Sequence, residues 1–288
     1  MQAGSNMDFI GILYQSRLEQ ATALAKTIQS RITDLGTGVW LRSSWEEGLN
    51  QKELPETQLI ISVGGDGTLL RVTRQVAGWD VPILGINAGS LGFLTELDGS
   101  DAVEHLEDII NGKGWVEQRS MLEASLGGSK WQAMNEVAIS RGGAARTIQI
   151  SVEVDGTRMF AFSGDGLLVA TATGSTAYNL AAGGPVLPPT SAYSIIKAVA
   201  SHPLSQSAIV VEEDSAISVE LKGNHAAVLS IDGHVDYPLD TGDRVSIRSS
   251  NFKAKFLRLQ SKNYFYGALS SILSGQRYHP GLADDRID

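Results

Sequence analysis

The chain has 288 residues, 42% of them hydrophobic and 19% charged, a balance that suits a folded protein larger than one small core and argues against extended disorder. Its formal net charge of -9 opposes non-specific attraction to nucleic acid or an anionic membrane, so any anionic ligand has to be held locally. The absence of cysteine excludes disulfides, thiolate nucleophiles and sulfur-ligated metals. With no secretion-like N-terminus and no run of about 18 apolar residues, the expected setting is the cytoplasm.

Residues 1–6 read as a loose leader. Phe9 to Leu13 predicts a strand, and Ser16-Arg17-Leu18-Glu19 carries the S-x-x-E pattern of a capped helix start. Leu18, Ala21, Leu24, Ala25, Ile28 and Ile32 then repeat at helical spacing, giving one apolar stripe for packing on a sheet. Val39 to Leu41, Leu59 to Val63 and Val81 to Ile86 are further strand-like runs separated by helix-compatible sequence. Such alternation predicts βαβ units and a parallel sheet, with ligands beyond the carboxyl ends of its strands. Ser100 ahead of Val103, Leu106, Ile109 and Ile110 predicts a capped helix closing near Gly112, and a domain boundary near residue 115.

Beyond that point the rhythm changes. Ile148 to Val154, Thr157 to Phe162, Leu167 to Thr171, Ile217 to Leu221 and Ala227 to Ile231 are short strand-like runs. Asp155-Gly156 and Asp232-Gly233 stand between such runs as two-residue turns, where Asp and Gly tolerate positive φ. The expected fold is therefore an α/β N-terminal domain with a parallel sheet, residues 7–115, followed by a β-rich, β-sandwich-like domain, residues 116–263. The tail of about 264–288 is expected to pack back on the first domain.

The sharpest local feature is Gly64-Gly65-Asp66-Gly67-Thr68, immediately after the apolar run Leu59 to Val63 and before Leu69-Leu70-Arg71-Val72. Strand, glycine loop and helix in that order let the backbone approach a ligand closely, and the first amides of the helix favour phosphate. Asp-Gly occurs five times in the chain, so the dipeptide by itself reads as a turn; its place after a buried strand is what marks Asp66. The spacing matches neither G-x-x-x-x-G-K-[ST] nor G-x-G-x-x-G, which excludes a P-loop and the usual dinucleotide fingerprint.

This loop resembles the signature shared by NAD kinases, diacylglycerol-type lipid kinases and, in variant form, phosphofructokinases. Three further segments narrow the resemblance to the NAD kinase family, of the bacterial type: Gly85 to Thr95, Asn135-Glu136, and Gly164 to Pro185. Together they extend it over residues from about 8 to 270. The resemblance implies phosphoryl transfer from ATP to the adenosine-ribose 2′-hydroxyl of NAD, with Mg²⁺ or another divalent cation carried largely by the nucleotide, and a homodimer or homotetramer. It implies that Asp66 accepts the hydroxyl proton, a task for which a carboxylate suits and which contributes roughly 10²–10⁴-fold.

The same resemblance assigns the rest of the site. Gly64, Gly65 and Gly67 form the phosphate loop, and Arg71 offers a fork to phosphate, against a solvated helix charge. Asn135 and Glu136 hold ribose hydroxyls or the adenine, against a strand-edge pair, and Asp165 takes the second ribose or the carboxamide. Thr173, Thr176, Ala177, Tyr178 and Ala181 shape the nucleotide pocket at a short helix start, and Arg146 reaches a phosphate or stays a loop charge. Two positions depart from the family pattern. His234 stands where relatives often have glutamine, and Ser163 where they commonly carry a basic side chain, which leaves room for NADH as well as NAD. His105, His202, His225 and His279 read as surface or packing residues, with no metal-ligand spacing. A lipid kinase and a non-catalytic NAD-binding sensor are the rival classes.

Overall fold

The structure is a computed structural model and describes residues 7–46, 48–49, 54–89, 92–143, 146–201 and 207–274. The leader 1–6, Ser90 and Leu91 of the Gly85 to Thr95 segment, His202, His279 and the tail beyond 274 lie outside the described residues. In chain order the first elements are β1 (Phe9–Tyr14), α1 (Glu19–Asp34), β2 (Gly38–Ser43), β3 (Leu59–Gly64), α2 (Asp66–Gln75), β4 (Ile83–Asn87), β5 (Leu97–Asp98), α3 (Gly99–Glu104), α4 (Leu106–Ile110) and β6 (Trp115–Leu126). There follow β7 (Ser129–Ala133), β8 (Glu136–Arg141), β9 (Ile148–Val154), β10 (Thr157–Gly164), β11 (Gly166–Thr171), α5 (Tyr178–Ala181), β12 (Tyr193–Val199), β13 (Ile209–Glu212), β14 (Ile217–Lys222), β15 (Ala227–Ile231), β16 (Val235–Leu239), β17 (Arg244–Arg258) and α6 (Tyr264–Leu273). The chain forms two compact units, crossing from the first to the second after Gln118 and returning at Lys255.

In the first unit β2, β1, β3 and β4 lie side by side, all parallel. β3 and β4 are buried along their whole length, which is why they read as unbroken apolar runs rather than alternating ones. α1 turns Ala21, Ala25, Ile28 and Ile32 into a core shared with Ile10, Ile61, Leu84 and Leu106, while Leu18 stays outside it. Two expected caps are corrected. Ser16 does not cap α1: its hydroxyl pairs with that of Ser43 at 2.7 Å, and the helix starts after Leu18 with no side-chain cap. Ser100 is not the cap of α3 either, because Asp98, two residues earlier, accepts from the amides of Ser100 and Asp101 at 3.0 Å each, and the helix breaks at His105. No helix among the described residues is long and apolar enough to cross a membrane.

The first unit also holds a buried ion cluster. The Arg258 guanidinium donates to Glu117 and Glu96, both at 2.9 Å, and to the Leu94 carbonyl at 3.1 Å, while the Tyr264 hydroxyl of α6 donates to Glu117. Burial alone would lower the Arg258 pKa, but Tyr264 and the buried Glu96 and Glu117 carboxylates beside the guanidinium push it up.

The second unit is antiparallel throughout. β13, β12, β11, β8, β15 and β16 make a six-stranded sheet, and β10, β9, β14 and β17 make a second set of neighbours. Val137, Val169 and Leu229 from the first set meet Ile150, Phe162 and Val219 from the second in one core, so the unit is a sandwich. Asp155-Gly156 is the expected two-residue hairpin turn, with φ of 51° and 75° between paired Val154 and Thr157. Asp232-Gly233 is corrected: Ile231 pairs with Val235, so the loop has a third residue, His234, whose amide returns to the Ile231 carbonyl at 3.0 Å.

Candidate active site

In the first unit β3 delivers the glycine loop directly into α2, with Gly65 as the N-cap in an extended conformation and Asp66 in the first turn. A carboxylate there is favoured by the partial positive charge of the helix start. The Asp66 side chain reaches across to the segment after β4, where one oxygen accepts the Phe93 amide at 2.9 Å and the other the Leu94 amide at 3.1 Å. Gly92 permits this approach, since a Cβ at that position would sit on the carboxylate. Leu94 is held in turn by the Arg258 guanidinium on its carbonyl. Each carboxylate oxygen has two lone-pair sites, so Asp66 keeps acceptor capacity while its orientation is fixed. Gly64 packs on Thr68, whereas a Cβ at Gly65 or Gly67 would meet open space among the described residues. The Asp66 and Gly67 amides, ahead of the first helical bond, have no acceptor within the helix.

Arg71, one turn and a half further along α2, is partly exposed. Its guanidinium carbon stands 3.4 Å from the centroid of the Trp45 ring. Trp45 carried no sequence signal, having neither periodicity nor a motif around it.

In the second unit the residues picked from sequence converge around Asp232. Its carboxylate accepts the amides of Met134, Asn135 and Glu136 at 3.0, 2.7 and 3.0 Å, and its own amide donates to the Glu136 carbonyl at 3.0 Å. The Asn135 carbonyl accepts the Thr171 amide at 2.8 Å, and Gly174 lies so close to that carbonyl that any larger residue would displace it. Thr173, Thr176, Ala177, Tyr178 and Ala181 follow on one short turn and α5, folded over the buried Ser175 and Asn179, whose side chains bond the backbone of the same segment. Glu136 is 7% exposed and accepts from the Tyr178 amide. Burial first, then the Asp232 charge, pushes its carboxyl from 4.5 up to about 7, with the Tyr178 amide opposing. Among the described residues its Oε2 and the Thr173 hydroxyl are buried without a hydrogen-bond partner. Orphaned buried polar atoms are costly, and a ligand hydroxyl or amide could satisfy them. Tyr178 is 46% exposed, a ring left available beside them.

The remaining candidates are more scattered. Asp165 is paired with Arg141 at 3.1 Å, a partner that the sequence reading did not pick out. His234 is exposed, with its Nδ1 2.9 Å from the Asp232 carbonyl, at the same corner as Asn135 and Glu136. Ser163 is half-buried on β10 opposite Gln149, and Arg146 is exposed just before β9. Among the described residues no group of three His, Cys, Asp or Glu side chains stands together in a way that could hold a metal ion.

An oriented carboxylate beside open helix amides, in an α/β unit joined to a polar-lined sandwich, is the make-up of a phosphotransferase acting on a hydroxyl. The chain matches the ATP-NAD kinase N-terminal domain over residues 9–114 and the ATP-NAD kinase C-terminal domain over residues 134–259. It is 38% identical over 272 residues to an NAD kinase of Dehalococcoides mccartyi, covering 92% of this chain and 96% of the relative. To an NAD kinase of Syntrophotalea carbinolica it is 35% identical over 285 residues, covering 94% and 100%. The fold is also that of a yeast NADH kinase complexed with NADH, at a TM-score of 0.81 and 20% identity over 94% of this chain and 88% of that one. An Archaeoglobus fulgidus NAD kinase in complex with ATP gives 0.76 and 27% identity over 92% and 99%. The chain belongs to the NAD kinase family, a family of phosphotransferases.

Proposed function

We propose that the chain transfers the terminal phosphoryl group of ATP to the adenosine-ribose 2′-hydroxyl of NAD, giving NADP and ADP. The observation that carries this reading is the Asp66 carboxylate, held by the Phe93 and Leu94 amides at the start of α2. The ribose oxygen forms the new P–O bond as the bond to the β–γ bridging oxygen breaks, and the hydroxyl proton goes to Asp66. In this reading the Asp66 and Gly67 amides, which have no acceptor within α2, stabilise the charge that develops on the transferred group, where fixed dipoles act most strongly. Asn135 and Glu136 bind ribose hydroxyls or the adenine, the orphaned Glu136 and Thr173 atoms finding partners there. Tyr178 stacks on a base, with Thr176, Ala177 and Ala181 around it. Asp165 takes the second ribose or the carboxamide, Arg146 a phosphate, and Ser163 and His234 line the dinucleotide.

A divalent cation such as Mg²⁺ would neutralise charge on the donor phosphates. The described residues build no cage for it, so it is read as arriving on the nucleotide, and no step above depends on a protein ligand to it. The same reading has the enzyme in the cytoplasm as a homodimer or homotetramer, with no nucleic-acid or membrane partner, in keeping with the net charge of -9. The test is incubation of the purified chain with NAD, ATP and Mg²⁺, followed by an NADP-specific enzymatic assay. NADP formation is expected. Saturable NAD binding with no NADP formed would make the chain a sensor and sink the proposal.

A further inference from the structure

The Trp45 indole is covered on both faces. The Arg17 guanidinium carbon lies 3.5 Å from the ring centroid and that of Arg71 3.4 Å, and two groups so placed cannot share a face. The ring attracts each cation but neutralises neither. Among the described residues neither arginine is paired with a carboxylate. Burial, and then the charges of Arg74 and Arg17, hold the Arg71 pKa below the usual guanidinium value, as like charges brought together must.

The arrangement is fixed by its surroundings. The Trp45 Nε1–H donates to Gln15, the Trp45 amide donates to the Ser43 hydroxyl at 3.2 Å, and Gln75 of α2 donates to the Ser44 and Glu46 carbonyls at 2.9 and 3.2 Å. Its three members come from the segments that follow β1, β2 and β3, at the carboxyl edge of the parallel sheet. Asp66 stands on that edge too, separated from Arg71 by roughly 7.5 Å of helix axis. Two cations with no carboxylate partner among the described residues suit a polyanion at this place. With both faces of Trp45 taken, the stack offers charge but no surface on which a base can lie.

Resting on the kinase reading above, we propose that the Arg17–Trp45–Arg71 stack is the seat of the donor's phosphate chain, recognising a linear polyphosphate whatever base it carries. Arg17 is the residue to probe, since it is exposed and, among the described residues, its side chain meets the fold at the Trp45 ring. Wild type, Arg17→Gln and Arg17→Lys should be titrated calorimetrically with inorganic tripolyphosphate, and their KM values measured for ATP, GTP and NAD. Arg17→Gln should raise the tripolyphosphate Kd and the KM for either triphosphate about tenfold, the usual worth of one charge-assisted contact. The KM for NAD should move less than about twofold, and Arg17→Lys should recover much of the loss. Unchanged tripolyphosphate and donor constants in Arg17→Gln, with unchanged Tm, would reduce the stack to a packing motif and overturn the proposal. A changed tripolyphosphate Kd with unchanged donor KM would make it a site for free anions and equally overturn it. Failure of the kinase reading is separate: wild type would then make no NADP, while the tripolyphosphate titration would still report on the stack.

Discussion

Asp66-Gly67 and Asp232-Gly233 are the same dipeptide put to opposite uses. Both aspartates bond main-chain amides well separated from them in sequence, Asp66 later in the chain and Asp232 earlier. Asp66, in the first unit, accepts two such amides, one on each oxygen, and is only partly buried. Asp232, in the second, is 6% exposed, holds a left-handed φ of 48° and accepts three. A carboxylate has about four lone-pair sites. Asp232 spends its capacity on pinning Met134, Asn135 and Glu136, whereas Asp66 is oriented by its two amides and still faces outward. One is a staple in the fold; on the proposed function the other is a reagent.

Two substitutions to asparagine would break the comparison if it is wrong. Asp66→Asn should lower kcat at least about 100-fold, because an amide cannot take the hydroxyl proton. NAD affinity and Tm should change little, since water can reach the amide left without an acceptor at this partly exposed site. Turnover within a few-fold of wild type would make Asp66 a turn residue. Asp232→Asn places an NH₂ against backbone amides of which those of Met134 and Glu136 are buried, and a buried donor left unsatisfied costs about 2 kcal/mol, or a fall in Tm of roughly 5 °C. A larger Tm loss in Asp66→Asn than in Asp232→Asn would reverse the two roles.

A smaller effect follows from what Asp232 does to its neighbour. Glu136, buried beside that charge, titrates at about 7 in the folded chain instead of 4.5. The native state therefore holds a proton that the unfolded chain has released. The stability contributed by this group is whole below pH 4.5 and is lost as pH rises through about 7. Glu136→Gln does not titrate, so its unfolding free energy relative to wild type should climb by about 1–2 kcal/mol between pH 5.5 and 8, discounted from the full linkage value. Urea denaturation at the two pH values reads this directly. A flat difference would mean that Glu136 ionises like an exposed carboxylate and that Asp232 exerts no pull on it.

Features carried by local repetition were legible in the sequence. The apolar stripe of α1, the unbroken runs of β3 and β4, and the glycine loop between strand and helix each announce themselves within a few residues. What escaped was settled by competition or by distance. Ser16 and Ser100 are as eligible for capping as any serine, yet one hydroxyl found Ser43 and the other yielded to Asp98 two residues away. The staple role of Asp232 depends on amides some 96–98 positions earlier in the chain, and nothing beside Asp232 betrays it. Trp45 gains its meaning only when Arg17 and Arg71 arrive from two other segments. Arg141 was passed over because its partner Asp165 lies on the far side of a hairpin.

His234 sharpens the comparison at its finest scale, because on the proposed function it extends the Asp232 staple toward NAD. Its Nδ1 is 2.9 Å from the Asp232 carbonyl, a contact in which only a ring N–H can take part as donor. That places the proton of the neutral ring on Nδ1, and protonation adds a second N–H at Nε2. A glutamine amide can keep both functions, donating to the carbonyl through nitrogen and accepting through oxygen, and it does so at every pH. Between about pH 6 and 7.5 the KM for NAD of wild type should therefore drift relative to that of His234→Gln by about two- to threefold, the worth of one hydrogen bond at an exposed position. The Glu136 carboxyl titrates within the same window and should affect both proteins alike, so the difference between the two profiles, and not either alone, carries the information. Parallel profiles with equal KM would leave His234 as the third residue of a turn, and the reach of Asp232 would end at Glu136.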